Sequence, residues 1–115
     1  MVDSSRVVSF NKSLDSKMEY YLFVRFVYSM DFSSVDEFSI SLVCLEFEKH
    51  LEIVRYDCSR DESVHVHYFY NSPPKKVYLN DFVSLETFWQ YVDDVEKNWG
   101  IYVEKYFKSK YFGKR

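Results

Sequence analysis

The chain has 115 residues, with 15 basic and 18 acidic side chains and a formal net charge of -3. Hydrophobic residues make up 47% and aromatic residues 21%, which is enough for a packed core and excludes intrinsic disorder. The acidic balance argues against a uniformly basic nucleic-acid binder, and the presence of only two glycines excludes a glycine-rich phosphate loop. The length predicts a single domain over residues 1–115.

We expect a cytoplasmic protein with no membrane partner. No run approaches the roughly 20 apolar residues that a membrane-spanning helix needs. The N-terminal segment also lacks the apolar stretch of a secretory signal. The two cysteines, Cys44 and Cys58, do not make a disulfide framework, and Cys44 falls in an apolar strand pattern typical of a core residue.

Strands are predicted through the first two thirds of the chain. Residues 1–17 are serine-rich and weakly periodic, so we expect an irregular segment that allows at most a short strand at residues 7–10. Strands are then predicted by β-branched and aromatic residues with period two, at residues 20–28, 38–47, 51–57 and 64–70. Two prolines end the fourth of these, and a short edge strand is expected at residues 76–79.

A long helix is predicted to follow these strands. From Leu85 the apolar residues recur at helical spacing, which predicts an amphipathic helix of about 23 residues. Ser84 is a suitable N-cap, and Val83 and Phe88 are spaced for a hydrophobic staple. The expected fold class is α+β, an antiparallel meander of four or five strands with one long C-terminal helix packed across one face.

One helix covers only one face of such a sheet. The other face also carries apolar side chains, among them Phe23 and Val27. We therefore expect either the N-terminal segment or a second copy of the chain to cover part of it, which makes a homodimer the expected assembly.

The first candidate site lies on two neighbouring strands. His65 and His67 alternate, so both imidazoles project from one face about 7 Å apart. A hairpin with a five-residue loop after Asp57 would place Arg55 opposite His65 and would put Arg55 and Asp57 on the face of the histidines. A slip of one residue in the register would separate the two pairs.

These four residues would suit a metal-independent ribonuclease. His65 and His67 would serve as acid and base, Arg55 would bind phosphate, and Asp57 would orient an imidazole. The alternative is a solvated polar strand face without chemistry. No metal site and no cofactor are assigned, because only two histidines and Asp57 are available as ligands.

The second candidate site is the basic and aromatic C-terminal tail, residues 108–115, with the helix end that precedes it. Its basic residues are Lys105, Lys108, Lys110, Lys114 and Arg115. Basic side chains with interleaved aromatic rings bind phosphates and stack on bases, which makes RNA a candidate partner. The alternative is a helix C-terminus whose lysines favour the helix dipole.

The order of motifs in residues 51–107 resembles a family of small prokaryotic proteins that includes the TumE-like toxins of toxin–antitoxin pairs. The shared order is a strand ending in Arg-Tyr-Asp at residues 55–57, a His-x-His strand at residues 65–67, and Ser-Leu-Glu at residues 84–86 opening a helix. This resemblance implies a cytoplasmic toxin that acts on RNA, with an antitoxin protein as its partner.

Two hypotheses about function follow. The first is a small homodimeric interaction module related to toxin–antitoxin components. The alternative is an RNA-directed toxin or ribonuclease that uses His65, His67, Arg55 and Asp57. Whether the protein is an enzyme stays open at this point.

Overall fold

The computed structural model describes residues 3–112, with the side chains of residues 3–110. A 3-10 turn at Ser4–Arg6 precedes six strands and a helix: β1 (Val7–Ser13), β2 (Tyr20–Tyr28), β3 (Val35–Glu46), β4 (Lys49–Ser59), β5 (Glu62–Tyr68), β6 (Lys75–Tyr78) and α1 (Leu85–Phe112). Each strand pairs antiparallel with the next, which gives one sheet in the order β1 to β6. The α+β class and the C-terminal helix are confirmed, whereas the prediction of four or five strands is wrong.

The additional strand is β1, which lies in the segment that was expected to be irregular. It pairs with β2 along its whole length, from Val7 opposite Val27 to Ser13 opposite Tyr21. Its residues are half-buried or exposed, because β1 is an edge strand. This strand is therefore stabilised more by backbone hydrogen bonds than by burial. Its apolar periodicity is weak for the same reason, so the sequence did not predict its full length.

The helix is longer than predicted. It begins at Leu85, as expected, and the Ser84 hydroxyl accepts a hydrogen bond from the Thr87 backbone N–H at 3.0 Å. It continues to Phe112 and so includes the start of the tail predicted at residues 108–115, whose last three residues lie outside the described part of the chain. Among residues 3–112, no helix combines the length and the apolarity that crossing a membrane requires.

The core lies between α1 and one face of the sheet. Phe88, Val92 and Val95 of the helix are buried against alternate residues of β2 to β5. Those strand residues include Leu22, Val24, Phe26, Phe38, Ile40, Leu42, Cys44, Val54, Tyr56, Cys58, Val64 and Val66. Cys44 is a core residue, as its strand pattern predicted, and both cysteines are free thiols.

A polar contact beneath the helix defines how α1 lies on the sheet. The hydroxyls of Tyr56 on β4 and Tyr102 on α1 donate to the Asp94 carboxylate at 3.1 and 3.0 Å. The Asn98 amide donates to the same carboxylate at 2.9 Å. Burial raises the pKa of Tyr102 to about 12, so its hydroxyl remains a donor at neutral pH. Of these hydrogen bonds, the one from Tyr56 joins the sheet to the helix, whereas the other two lie within α1 and orient the Asp94 carboxylate. Since hydrogen bonds are directional, the Tyr56–Asp94 contact restricts the helix position more than apolar packing alone does.

The other sheet face, which we call the open face, carries no helix within the described residues. Its side chains, taken from the strand register, include Tyr21, Phe23, Arg25, Ser39, Ser41, Val43, Glu52, Arg55, Asp57, His65, His67, Lys76 and Tyr78. A bulge between Leu42 and Val43 in the pairing of β3 with β4 brings Glu52 onto this face. The N-terminal strand extends the sheet at its edge and does not cover the open face, contrary to one of the two expectations. The homodimer stays a prediction.

We predict that Phe88→Ala lowers the free energy of unfolding by about 3 to 5 kcal/mol, because the ring is fully buried between α1 and the sheet. Gln90→Ala, at an exposed position of the same helix, should change it by less than about 0.5 kcal/mol. Urea denaturation followed by circular dichroism measures both. Equal effects of the two substitutions would contradict the packing of α1 through Phe88.

Candidate functional site

The pairing of β4 with β5 brings the four predicted residues together, although in a different register. Asp57 pairs with His65 and Arg55 with His67, whereas the predicted five-residue loop would place Arg55 opposite His65. The hairpin turns at residues 60–61 with an adjacent bulge, not through a five-residue loop. Because the register differs by two residues, every side chain stays on its predicted face. Val54, Tyr56, Val64, Val66 and Tyr68 likewise lie on the core face, as predicted.

The two imidazoles meet at their Nε2 atoms, which lie 3.1 Å apart. The Nδ1 atom of His65 lies 2.8 Å from the carbonyl oxygen of Ser63. A carbonyl oxygen only accepts, so Nδ1 of His65 donates and the lone pair of the neutral ring is on Nε2. In the neutral pair, the Nε2–H of His67 donates to that lone pair. The backbone of β5 thereby selects the tautomer of His65.

The Asp57 carboxylate completes a cluster of three groups. Its Oδ2 lies 4.0 Å from Nε2 of His65 and 3.9 Å from Nε2 of His67. The His65 side chain is 2% exposed, while those of His67 and Asp57 are 20% and 29% exposed. Solvent therefore reaches the cluster from the side of His67 and Asp57.

A chain of hydrogen bonds supports Asp57 from β3 and β4. The Arg55 Nε donates to Asp57 Oδ2 at 3.2 Å, and its Nη1 donates to Glu52 at 2.9 Å. The Ser41 hydroxyl donates to the other oxygen of Glu52 at 2.8 Å. The Arg55 guanidinium also lies over the Phe69 ring, 5.3 Å from its centroid. The carboxylate of Asp57 is therefore held in place from one side.

Three further residues flank His65 on its other side, and sequence reasoning missed all three. Glu62 Oε1 lies 3.4 Å from His65 Nε2, and its other oxygen accepts from Lys76 and from the Tyr78 hydroxyl on β6. These hydrogen bonds lower the pKa of Glu62 to about 2. The loop predicted at residues 58–62 is wrong for Glu62, which begins β5. No sequence signal marks these neighbours, because only the register of β4, β5 and β6 brings them together.

The basic C-terminal segment shows local ion pairs. Lys108 pairs with Glu104 at 2.8 Å one helical turn away, and Lys110 pairs with Glu46 of β3 at 3.0 Å. Two of the predicted RNA-binding residues, Lys114 and Arg115, lie outside the described residues. RNA binding by this segment, with Lys105 included, stays a prediction.

We predict that the pKa of His67 in the metal-free protein lies below 6.5, because burial and the positive charge of Arg55 disfavour the imidazolium. The unfolded chain binds this proton near pH 6.5, whereas the folded chain binds it only at lower pH. The free energy of unfolding therefore has its full value, as far as His67 is concerned, above pH 6.5. This contribution of His67 is lost as the pH falls from 6.5 towards the lower pKa of the folded state. NMR titration of the imidazole measures the pKa, and Arg55→Gln should raise it. A pKa of His67 above 6.5 in the wild type would contradict the geometry.

Comparison with known proteins corrects the resemblance proposed from the sequence. The one family found is described as a domain of unknown function, and no TumE or toxin–antitoxin family matches, so that assignment is wrong. The implied toxic activity and antitoxin partner lose their basis with it. The misleading motifs are only three residues long, and alternating polar residues of this kind occur on any strand with one solvated face. No curated protein and no solved structure matches the chain. By the match over residues 5–111, the chain belongs to the family described as Domain of unknown function (DUF7718).

Proposed function

We propose that this protein binds a divalent transition-metal ion such as zinc through Asp57, His65 and His67. The observation that carries the proposal is the convergence of three ligand atoms, two imidazole nitrogens 3.1 Å apart and a carboxylate oxygen 3.9 and 4.0 Å from them. Zinc binds such atoms at about 2.0 to 2.2 Å, which separates the ligands of a tetrahedral ion by roughly 3.3 to 3.6 Å. The observed separations lie on both sides of that range.

The contacts around the three ligands also support metal binding. In metal sites, a ligating histidine usually donates its other N–H to a carbonyl or carboxylate, and a ligating carboxylate accepts a hydrogen bond. His65 has such a contact with the Ser63 carbonyl, and Asp57 has one with Arg55. The His67 ring stacks on Phe69 with a centroid distance of 5.5 Å and an angle of 6° between the planes. The rings of His65 and His67 and the carboxylate of Asp57 are therefore oriented before an ion arrives, and His67 frees its Nε2 for the ion by carrying its proton on Nδ1.

The contacts favour metal binding over the ribonuclease hypothesis. The Nε2 atoms of His65 and His67 contact each other at 3.1 Å, which leaves no space between them for a phosphate group that an acid and a base would flank. Burial and the charge of Arg55 lower the pKa of His67, which disfavours His67 as the general acid of such a pair near neutral pH. Both the ribonuclease and the homodimeric interaction module stay predictions.

We expect metal-free protein to bind one zinc ion per chain in isothermal titration calorimetry. His67→Ala and Asp57→Asn should each weaken the affinity by more than the ~10- to 100-fold that losing an outer contact of a metal ligand typically costs. The matched control is His50→Ala. His50 is the remaining histidine of the chain, and its Nδ1 contacts the Tyr21 hydroxyl outside the cluster.

The His50→Ala variant should bind zinc like the wild type. The proposal fails if the wild type shows no zinc binding, or if zinc affinity is unchanged in His67→Ala and Asp57→Asn while far-ultraviolet circular dichroism shows both variants folded. It also fails if His50→Ala weakens binding as much as His67→Ala does.

A further inference from the structure

We infer that the ion held by Asp57, His65 and His67 takes an oxyanion, a carboxylate or phosphate group, as a further ligand, and that Arg55 binds the same anion. This inference rests on the metal site proposed above. Arg55 would then bind the anion as well as orient Asp57, and the metal would serve to bind an anionic molecule rather than only to stabilise the fold.

Three protein ligands leave one position of the ion open to a further ligand. Among the described residues, the cluster of possible ligands has three members, Asp57, His65 and His67. A zinc site with three protein ligands keeps a position for water or for another molecule, whereas a structural site is closed by a fourth protein ligand. Glu62 Oε1 lies 3.4 Å from His65 Nε2, but Glu62 is outside the group of ligand atoms that lie within 4.8 Å of one another. Its other oxygen accepts from Lys76 and Tyr78, which holds the carboxylate on the β6 side.

The charge of the ion and its ligands favours an anion at the open position. A divalent ion with one carboxylate and two neutral imidazoles keeps a net charge of about +1. The positive charge of Arg55 lies directly beside it, because Arg55 Nε is 3.2 Å from Asp57 Oδ2. Glu52 neutralises the charge of Arg55, so the excess positive charge at the site is that of the ion. An anion at the free position would therefore meet the charge of the ion and the N–H donors of Arg55.

The guanidinium of Arg55 is placed to bind the same anion as the ion. Arg55 uses Nε on Asp57 and Nη1 on Glu52, and none of the hydrogen bonds among the described residues involves its third nitrogen, Nη2. In an arginine, Nη2 lies on the same edge of the plane as the Nε–H bond, and here that edge faces Asp57. Carboxylate and phosphate groups have two or more oxygens, so one can bind the ion while another accepts from Nη2.

The cluster is accessible to a ligand from solvent, and the side chains of Arg55 and His67 are held in place by Phe69. The side chains of Arg55, Asp57 and His67 are 20% to 29% exposed, whereas that of His65 is 2% exposed. A ligand can therefore approach the cluster from the side of the first three. The Phe69 ring contacts both the Arg55 guanidinium and the His67 ring, which fixes the anion-binding group relative to the ion.

The test uses the full chain loaded with Co²⁺, whose visible absorption reports changes in its ligands. Acetate and inorganic phosphate are titrated in separate arms at constant ionic strength. We expect a saturable spectral change with at least one of them. Arg55→Lys, which keeps the charge but loses the planar fork, should weaken that anion by about tenfold or more while Co²⁺ stays bound. The matched control is Arg25→Lys, since Arg25 also lies on the open face but pairs with Glu37.

The outcomes separate this inference from the proposed function. A response to acetate alone or phosphate alone supports the inference and identifies the anion. Bound Co²⁺ that responds to neither anion overturns the inference and leaves the metal site standing. Equal weakening by Arg55→Lys and Arg25→Lys also overturns it, because the effect would then come from surface charge. If neither Co²⁺ nor zinc binds, the proposed metal site itself is refuted.

Discussion

The candidate site depends on one constraint, the register in which β4 pairs with β5. Asp57 opposite His65 and Arg55 opposite His67 place the four side chains of the candidate site on the open face. The same register sends Val54, Tyr56 and Val66 to the core beneath α1. A shift by one residue would exchange the two sets and bury charged groups without partners, which costs several kcal/mol for each group. Packing of the core therefore maintains the geometry of the polar cluster.

The single helix explains why such a cluster is tolerated in a small domain. Because α1 covers one face only, the open face can carry Arg55, Asp57 and Glu62 in contact with solvent. His65 is the exception, since it is buried on this face beside His67 and Tyr78. Its hydrogen bond to the Ser63 carbonyl offsets part of the cost of burying a polar ring. The hydrogen bond of Nδ1 to a backbone carbonyl, which leaves Nε2 as the free nitrogen, is typical of a histidine that binds a metal.

Much of the fold follows from periodicity in the sequence. The helix start at Leu85 and the strand β2 were predicted correctly, because their apolar residues recur clearly with periods of 3.6 and two residues. The edge strand β1 was undercounted, because its side chains are at most half-buried and its stability comes from pairing with β2. The helix end was placed too early, because lysines in its last turns resemble a tail although Lys110 pairs with Glu46 of β3.

The candidate site was only partly predictable. Alternation alone put Arg55, Asp57, His65 and His67 on one face, and it did so even with the wrong turn, because a shift of two residues preserves the faces. The contacts of Glu62 with Lys76 and Tyr78 depend on the two-residue turn and on the position of β6, which no short motif in the sequence encodes. A metal site was not predicted, since spacing along the chain does not reveal that the Nε2 atoms of two histidines converge.

The most direct measurement is a crystal structure of the zinc-loaded protein, with anomalous scattering recorded at the zinc edge. We expect a peak about 2.0 to 2.2 Å from Nε2 of His65, Nε2 of His67 and a carboxylate oxygen of Asp57. An anomalous peak at His50 with none between β4 and β5 would contradict the proposed metal site. So would an empty cluster in crystals of protein that binds zinc in solution.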